Sequence, residues 1–232
     1  MRAAAASRFP ARLEAGYRAF LDDRLADERQ RYETLARGGQ KPEVMMIGCC
    51  DSRVSPEVVF DASPGEVFVV RNVANLVPPF ETGGKYHGTS AALEFAVQAL
   101  KVQHIVVLGH ARCGGVRAFA EETAPLSPGD FIGKWMSLIT PAAARIGPRH
   151  EAAGEDGDYL RRLELAVIEL SLANLMTFPC IRILVERGRL QLHGAYFGVA
   201  DGVLLVRDPA TGRFDRLVDT MPERAMRGGH ER

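Results

Sequence analysis

The 232-residue chain carries 29 Lys+Arg against 29 Asp+Glu, so its net charge is near zero, and 47% of its residues are hydrophobic. That balance argues against nucleic-acid or anionic-membrane binding and for an ordinary globule with a full core. The longest apolar runs fall short of a membrane span, and no Pro/Ser/Gly-rich linker divides the chain, which favours a single domain.

Taken in order, the alanines at 3–6 are too few for the apolar core of a secretion signal, and charges follow at once. The expectation is a cytoplasmic protein whose cysteines, at 49, 50, 113 and 180, stay as thiols or ligands. Residues 10–36 set Leu13, Tyr17, Phe20, Leu21 and Leu25 at helical spacing among many charges, predicting an amphipathic arm of one or two helices. Gly38-Gly39 ends it. Residues 44–53, Val-Met-Met-Ile-Gly-Cys-Cys-Asp-Ser-Arg, read as a buried strand that delivers polar groups at its C-terminal end, where open parallel sheets bind ligands. Ser55-Pro56 predicts a short helix with serine as cap. Residues 66–70 form a second buried strand. Residues 88–100 are apolar nearly all round, predicting a helix buried on most faces against the sheet or another subunit. His104–Gly109 is a third strand, ending in His110-Ala-Arg-Cys113-Gly-Gly.

Helical signal follows to about residue 122 and again over Phe131–Ile146, then a polar stretch at 147–158. Leu160, Leu163, Val167, Leu170 and Leu175 mark a long helix that Pro179 breaks. A short helix then runs to Gly188. Residues 189–197 make a fourth strand. Asp201-Gly202 signals a hairpin into an antiparallel strand at 203–207, and Arg213–Leu217 offers one more edge segment. The β-α-β alternation predicts a single-domain α/β fold with a mainly parallel sheet, about four parallel strands plus an antiparallel edge strand, flanked by helices.

Cys49, His110 and Cys113 end two predicted neighbouring strands. Three soft ligands with an open fourth position is the arithmetic of a catalytic zinc. A structural zinc stays open at this point, because Cys50, Asp51 or His87 could supply a fourth ligand. Asp51 and Arg53 fall on one side by strand alternation and can pair, which keeps the aspartate ionised and oriented. Beside a zinc thiolate, the pair reads as a device to orient a metal-bound water.

Cys49-x-Asp51-x-Arg53 with His110-x-x-Cys113 resembles the β-class carbonic anhydrases. Arg71-Asn72-Val73-Ala74-Asn75, Ser90–Phe95 and Leu192-His193-Gly194 match further blocks of that family in order, from about Gln40 to Val206. The resemblance implies reversible hydration of CO2 to bicarbonate and a proton by zinc-bound hydroxide. Cys49, His110 and Cys113 would hold one Zn2+ per subunit, with Asp51 and Arg53 as the catalytic dyad. Gln40 would donate to a CO2 or bicarbonate oxygen, and Phe68, Val73 and Phe95 would line an apolar pocket. It also implies a homodimer or higher homo-oligomer, with pockets at the subunit interface. Residues 1–38 would be an embracing arm and 39–232 the catalytic domain.

Two thiolates offset the charge of the zinc, so activity should rise with pH above neutrality. Some members close their site on bicarbonate, using a tryptophan, an arginine and a tyrosine. Here those positions hold Met46, Arg71 and Phe197, which predicts an open site without that switch. His87 is a weaker candidate, as a proton shuttle. Cys50 and Cys180 read as core residues, and His193 as a backbone anchor. The alternatives are a CS2 or COS hydrolase of the same fold, or a non-catalytic zinc scaffold with four ligands. A thiol redox protein would need a C-x-x-C motif, which is absent.

Overall fold

The computed structural model describes residues 9–83, 87–121, 131–148 and 156–218. The chain divides into two compact units, Met1–Lys41 and Pro42–Arg232. In the first, α1 (Ala11–Asp22) and α2 (Arg24–Gly38) flank a break at Asp23, where ψ of −81° leaves the helical path. Gly39 ends α2 at φ 73°, a left-handed conformation that glycine adopts without steric cost. Glu14–Arg18 and Glu33–Arg37 pairs, four residues apart, staple the helix surfaces. Neither helix contains a buried residue. Leu13 and Tyr17 are each more than half exposed, so the predicted apolar stripe of α1 faces outward.

The second unit is built on a six-stranded sheet of order β2-β1-β3-β4-β5-β6. β1 (Val44–Cys49), β2 (Val67–Asn72), β3 (His104–His110) and β4 (Gln191–Phe197) are parallel. β5 (Leu204–Arg207) and β6 (Phe214–Arg216) continue antiparallel. The sheet is therefore the mainly parallel one expected, and the segment near Arg213–Leu217 does form a strand. β1 hands the chain to β2 on one side, while β3 hands it to β4 on the other. The crevice between the C-terminal ends of β1 and β3 is thus the point where the winding direction reverses, the usual ligand position in such sheets.

Alternation along the strands sorts the core. Met45, Ile47, Ile105 and Val107 point to one face, where they pack with Leu93, Ile168, Leu175 and Ile181. Those partners come from α4 (Gly88–Glu94), α8 (Asp156–Leu175) and α9 (Pro179–Glu186). Each such fully buried side chain contributes about 1.5–3 kcal/mol. The opposite face carries Met46, Leu108 and Ala195 with Val44, Val67, Val69 and Val106. Gly109 lets α8 seat closely on β3: a Cβ there would sit 2.7 Å from Ile168 Cδ1. α8 and α9 meet at 91° across the Met176–Phe178 turn. Among the described residues no single helix is long and apolar enough to cross a membrane.

Several expectations need correction. Ser55 does not cap α3 (Pro56–Val59); its hydroxyl donates to Glu57 instead. The 88–100 helix buries Leu93, Ala96 and Val97 within one chain, but it is not a uniform α-helix: its second half, Phe95–Leu100, winds as a π-helix, with Phe95 half exposed in the single chain. Cys50 is exposed, because β1 ends at Cys49 and the chain leaves the sheet there. His193 pairs with a histidine, Nε2 to His104 Nδ1 at 3.1 Å, rather than with backbone. Cys180 is partly buried against the main core. The signal at 131–146 resolves into α6 (Ile132–Met136), a 3-10 turn and α7 (Thr140–Ile146). Most of the polar stretch at 147–158 lies outside the described residues.

Candidate metal centre

The last residue of β1, Cys49, and the last of β3, His110, arrive side by side because the two strands are parallel neighbours. Cys113 precedes α5 (Gly114–Ala120) at its N-cap position. Arg112 sits between them at φ 57°, a left-handed conformation that turns the chain back within two residues of β3. One ligand atom from each of Cys49, His110 and Cys113 lies within 4.8 Å of the others, and all three residues are buried. The two sulfurs are 3.9 Å apart.

The donor set fits a zinc ion on evidence from the protein alone. His110 Nδ1 lies 3.0 Å from the carbonyl oxygen of Ala111, so the proton belongs on that nitrogen. Nε2 then carries the lone pair, and it is buried with no hydrogen-bond partner. A backbone-anchored histidine with the other nitrogen free toward two thiols is what a soft tetrahedral cation requires. The sulfurs are prepared as well. The two sulfurs share one hydrogen bond, and this contact does most to push the Cys49 thiol down. The backbone N–H groups of Asp51 and Ala74 act in the same sense, against the effect of burial. The Cys113 thiol is pushed up by the same sharing of one proton and by burial. Backbone N–H groups of Gly115 and Val116 face it and favour its thiolate.

Asp51 and Arg53 pair as the sequence suggests. Arg53 Nε donates to Oδ1 at 2.9 Å and Nη2 to Oδ2 at 2.7 Å, a two-point fork. The Arg53 side chain, with help from its backbone N–H, holds the Asp51 carboxyl well below the usual carboxylate range. Asp51 Oδ2 is also 3.9 Å from His110 Nε2, so the carboxylate borders the space that the three ligands surround. Arg53 is braced from behind by the carbonyl of Arg112, at 3.1 Å.

Two supporting groups escaped the sequence reading, and a third was read there only as a position of the switch. Glu164 of α8 is 5% exposed; one carboxylate oxygen accepts the Cys113 N–H at 2.9 Å and the other the Tyr196 hydroxyl at 2.7 Å. Burial pushes the Glu164 carboxyl up, against those bonds. Burial, then Glu164, pushes the Tyr196 hydroxyl up. The signal was available: Glu164 interrupts the apolar stripe of α8 between Leu160, Leu163 and Val167. Arg71 is the third group. Its guanidinium donates to the carbonyls of Cys49 at 2.8 Å and Asp51 at 2.6 Å, clamping the end of β1. Of the other positions of the switch, Met46 and Phe197 both pack in the apolar cluster with Leu108 and Ala195.

The pocket residues divide. Val73 packs in the same apolar cluster as Cys49 and Cys113, and its carbonyl accepts the Trp135 indole N–H at 2.8 Å. Phe68 and Phe95 pair with each other, ring centres 5.9 Å apart, and Phe68 packs on the main core cluster instead. One chain therefore does not bring these two rings to its own metal ligands. Gln40 is exposed and belongs to the first unit, described by itself. His87 is exposed too, with Nε2 2.6 Å from the Gly83 carbonyl.

A mainly parallel α/β sheet with a Cys2His site at its reversal point, beside an Asp–Arg pair, defines a metalloprotein of one narrow class. Residues 44–204 match the family model described as carbonic anhydrase. A curated relative, β carbonic anhydrase 5 of Arabidopsis thaliana, described as chloroplastic, is 38% identical over 184 residues, 79% of this chain. The chain spans 60% of that relative's length. Among solved structures, the β-carbonic anhydrase CcaA superposes with a TM-score of 0.76 at 28% identity, covering 89% of this chain and 91% of the other. A tetrameric β-carbonic anhydrase of Sordaria macrospora gives 0.71 at 28% identity, covering 89% and 95%. The chain belongs to the carbonic anhydrase family, in its β class.

Proposed function

We propose that this protein catalyses the reversible hydration of CO2 to bicarbonate and a proton. The observation that carries the reading is the convergence of Cys49, His110 and Cys113, with the His110 Nε2 lone pair unclaimed, at the border of an ionised Asp51. These three residues would hold Zn2+, and zinc when bound supplies the Lewis acidity that makes water a competent nucleophile near neutral pH.

The chain's own residues do the rest. Asp51 accepts a hydrogen bond from the attacking water and so aims its lone pair at carbon. Arg53 keeps Asp51 charged and fixed in rotation by its two-point fork. The carbonyl of Arg112 fixes Arg53 in turn. Val73 and its apolar cluster offer an uncharged substrate a dry wall. A second copy of the chain would bring Phe68, Phe95 and Gln40, which explains why Phe95 stands half exposed in a single chain.

The working unit in this reading is a homo-oligomer, with a homodimer as its smallest form. The outward apolar stripe of α1 supports it, since Leu13 and Tyr17 need a partner surface. The arm at 1–38 then clasps the neighbouring copy as part of the same domain as 39–232. Sedimentation of a chain lacking the arm, shifted to monomer, is the expected result. The location we propose is a reducing cytoplasm, which keeps the Cys49 and Cys113 sulfurs as separate ligands; cell fractionation tests it. The site also reads as permanently open. Asp51 is engaged by Arg53, Arg71 by two carbonyls, and Met46 and Phe197 are apolar. Bicarbonate should therefore inhibit only as a simple product. Stopped-flow CO2 hydration by the zinc-loaded protein, run beside CS2 and COS, tests the reaction; turnover of CS2 or COS alone would refute it.

A further inference from the structure

A cavity of about 670 Å³ opens beside the metal loop, and none of Cys49, Asp51, Arg53, His110 or Cys113 lines it. Four arginines from four different places in the chain do: Arg112 of the loop, Arg117 of α5, Arg161 of α8 and Arg216 of β6. Glu164 and Tyr196 also line it.

Of the three acids in the wall, two are tied up by partners in it, and Asp201 keeps its charge. Glu121 pairs with Arg117 at 3.0 Å. The Asp201 carboxylate accepts the Val203 N–H at 3.0 Å. Both oxygens of Glu164 are taken by Cys113 and Tyr196. Among the described residues, no carboxylate lies within salt-bridge distance of Arg112, Arg161 or Arg216, all of which are solvent-exposed. Three guanidiniums without an ion-pair partner among the described residues, against the one Asp201 carboxylate, leave this concave volume with an excess of positive charge suited to anions. Guanidinium matches phosphate in shape and charge, and the volume falls within the range of sites for small organic ligands.

We propose that this cavity binds a small phosphorylated metabolite and that its occupancy is felt at the metal loop. Arg112 is the link: its side chain lines the cavity, while its carbonyl holds Arg53, which holds Asp51. Arg112 also sits at φ 57°, a sparsely populated backbone conformation for a residue with a side chain. An anion that draws the guanidinium inward turns the carbonyl away from Arg53 and loosens the dyad. The binding stands independently of the reaction proposed above, whereas the coupling rests on it.

Isothermal titration of the zinc-loaded full-length protein with fructose 1,6-bisphosphate, a weak zinc ligand, tests the binding, with fructose as the uncharged control at matched ionic strength. The expected result is saturation at one per subunit and no heat from fructose. Arg161→Ala combined with Arg216→Ala should weaken binding by about tenfold or more, with zinc content and basal CO2 hydration unchanged. Bisphosphate should lower wild-type CO2 hydration about fivefold at saturation, and the double variant should need about tenfold or more bisphosphate for half of that effect. No saturable binding, or equal affinity in the double variant, overturns the pocket. Inhibition with the same half-inhibiting concentration in the double variant also overturns it, by placing the anion at the metal instead. A wild type that binds the bisphosphate but hydrates no CO2 upholds the pocket and refutes the reaction.

Discussion

Two carboxylates stand on either side of the metal loop, and their surroundings differ in nearly every respect. Asp51 is partly open to solvent and pairs with a guanidinium that holds it ionised. Glu164 is buried, has no cationic partner among its hydrogen bonds, and divides its oxygens between a backbone N–H and a phenol. The same functional group thus does two jobs. Where charge is stabilised and water is near, the carboxylate can receive a proton donor and take part in chemistry. Where it is buried and saturated with neutral donors, it can only hold geometry. Asp51 faces the ligands from the front, and Glu164 fixes the backbone of Cys113 from behind.

Substitutions that blur this contrast should have graded effects. The largest falls on the ligands that both carboxylates serve: His110→Ala should take bound zinc from about one per subunit towards zero and abolish CO2 hydration, as read by metal analysis and stopped-flow. Asp51→Asn comes next, with zinc retained and CO2 hydration down roughly 10²–10³-fold, since an amide cannot serve as the charged acceptor. Glu164→Gln should act the other way round. We expect zinc affinity to fall about 10–100-fold and unfolding stability by about 1–3 kcal/mol, while the metal-saturated enzyme keeps most of its kcat. Tyr196→Phe is the mildest, costing about 0.5–1.5 kcal/mol in chemical denaturation.

The pH dependence of stability separates the two carboxylates by sign. Glu164 has a raised pKa in the folded state, so its contribution is full below its unfolded value and is lost as pH rises through the folded one. Asp51 has a lowered pKa, so its contribution is present above its unfolded value and is lost only as pH falls through the folded one. Raising the pH from about 4 towards neutrality should therefore cost the wild type stability that Glu164→Gln does not lose. Over about pH 5 to 9 the Asp51→Asn difference in Tm should stay flat. CO2 hydration itself should climb between about pH 7 and 9, because two thiolates offset the metal's charge and leave the nucleophilic water less acidic than three neutral histidines would.

The first half of this contrast was legible in the sequence and the second was not. Cys49, Asp51 and Arg53 sit within five residues on one strand end, and His110 and Cys113 within four on another. Short-range spacing with strand periodicity was enough to bring them together. Glu164 lies 51 residues from Cys113, the group it holds, so only the packing of α8 on β3 reveals their contact. Arg71 was visible as a residue but not as a clamp on two carbonyls, since backbone acceptors leave no trace in side-chain pattern. Cys50 misled because alternation was carried one residue past the end of β1. The half-exposed Phe95 shows the other limit, for an apolar helix face reads the same whether its partner is the core or another copy of the chain.

The central claim is that the three ligands make a zinc site and that Asp51 works beside it without being part of it. Zinc stoichiometry and stopped-flow CO2 hydration, measured on the same preparations of wild type and Asp51→Asn, test this most directly. One zinc per subunit in both proteins, with rapid hydration in the wild type and a loss of at least about 10²-fold in the variant, is the predicted result. Zinc lost on Asp51→Asn, or hydration undiminished by it, would contradict the account.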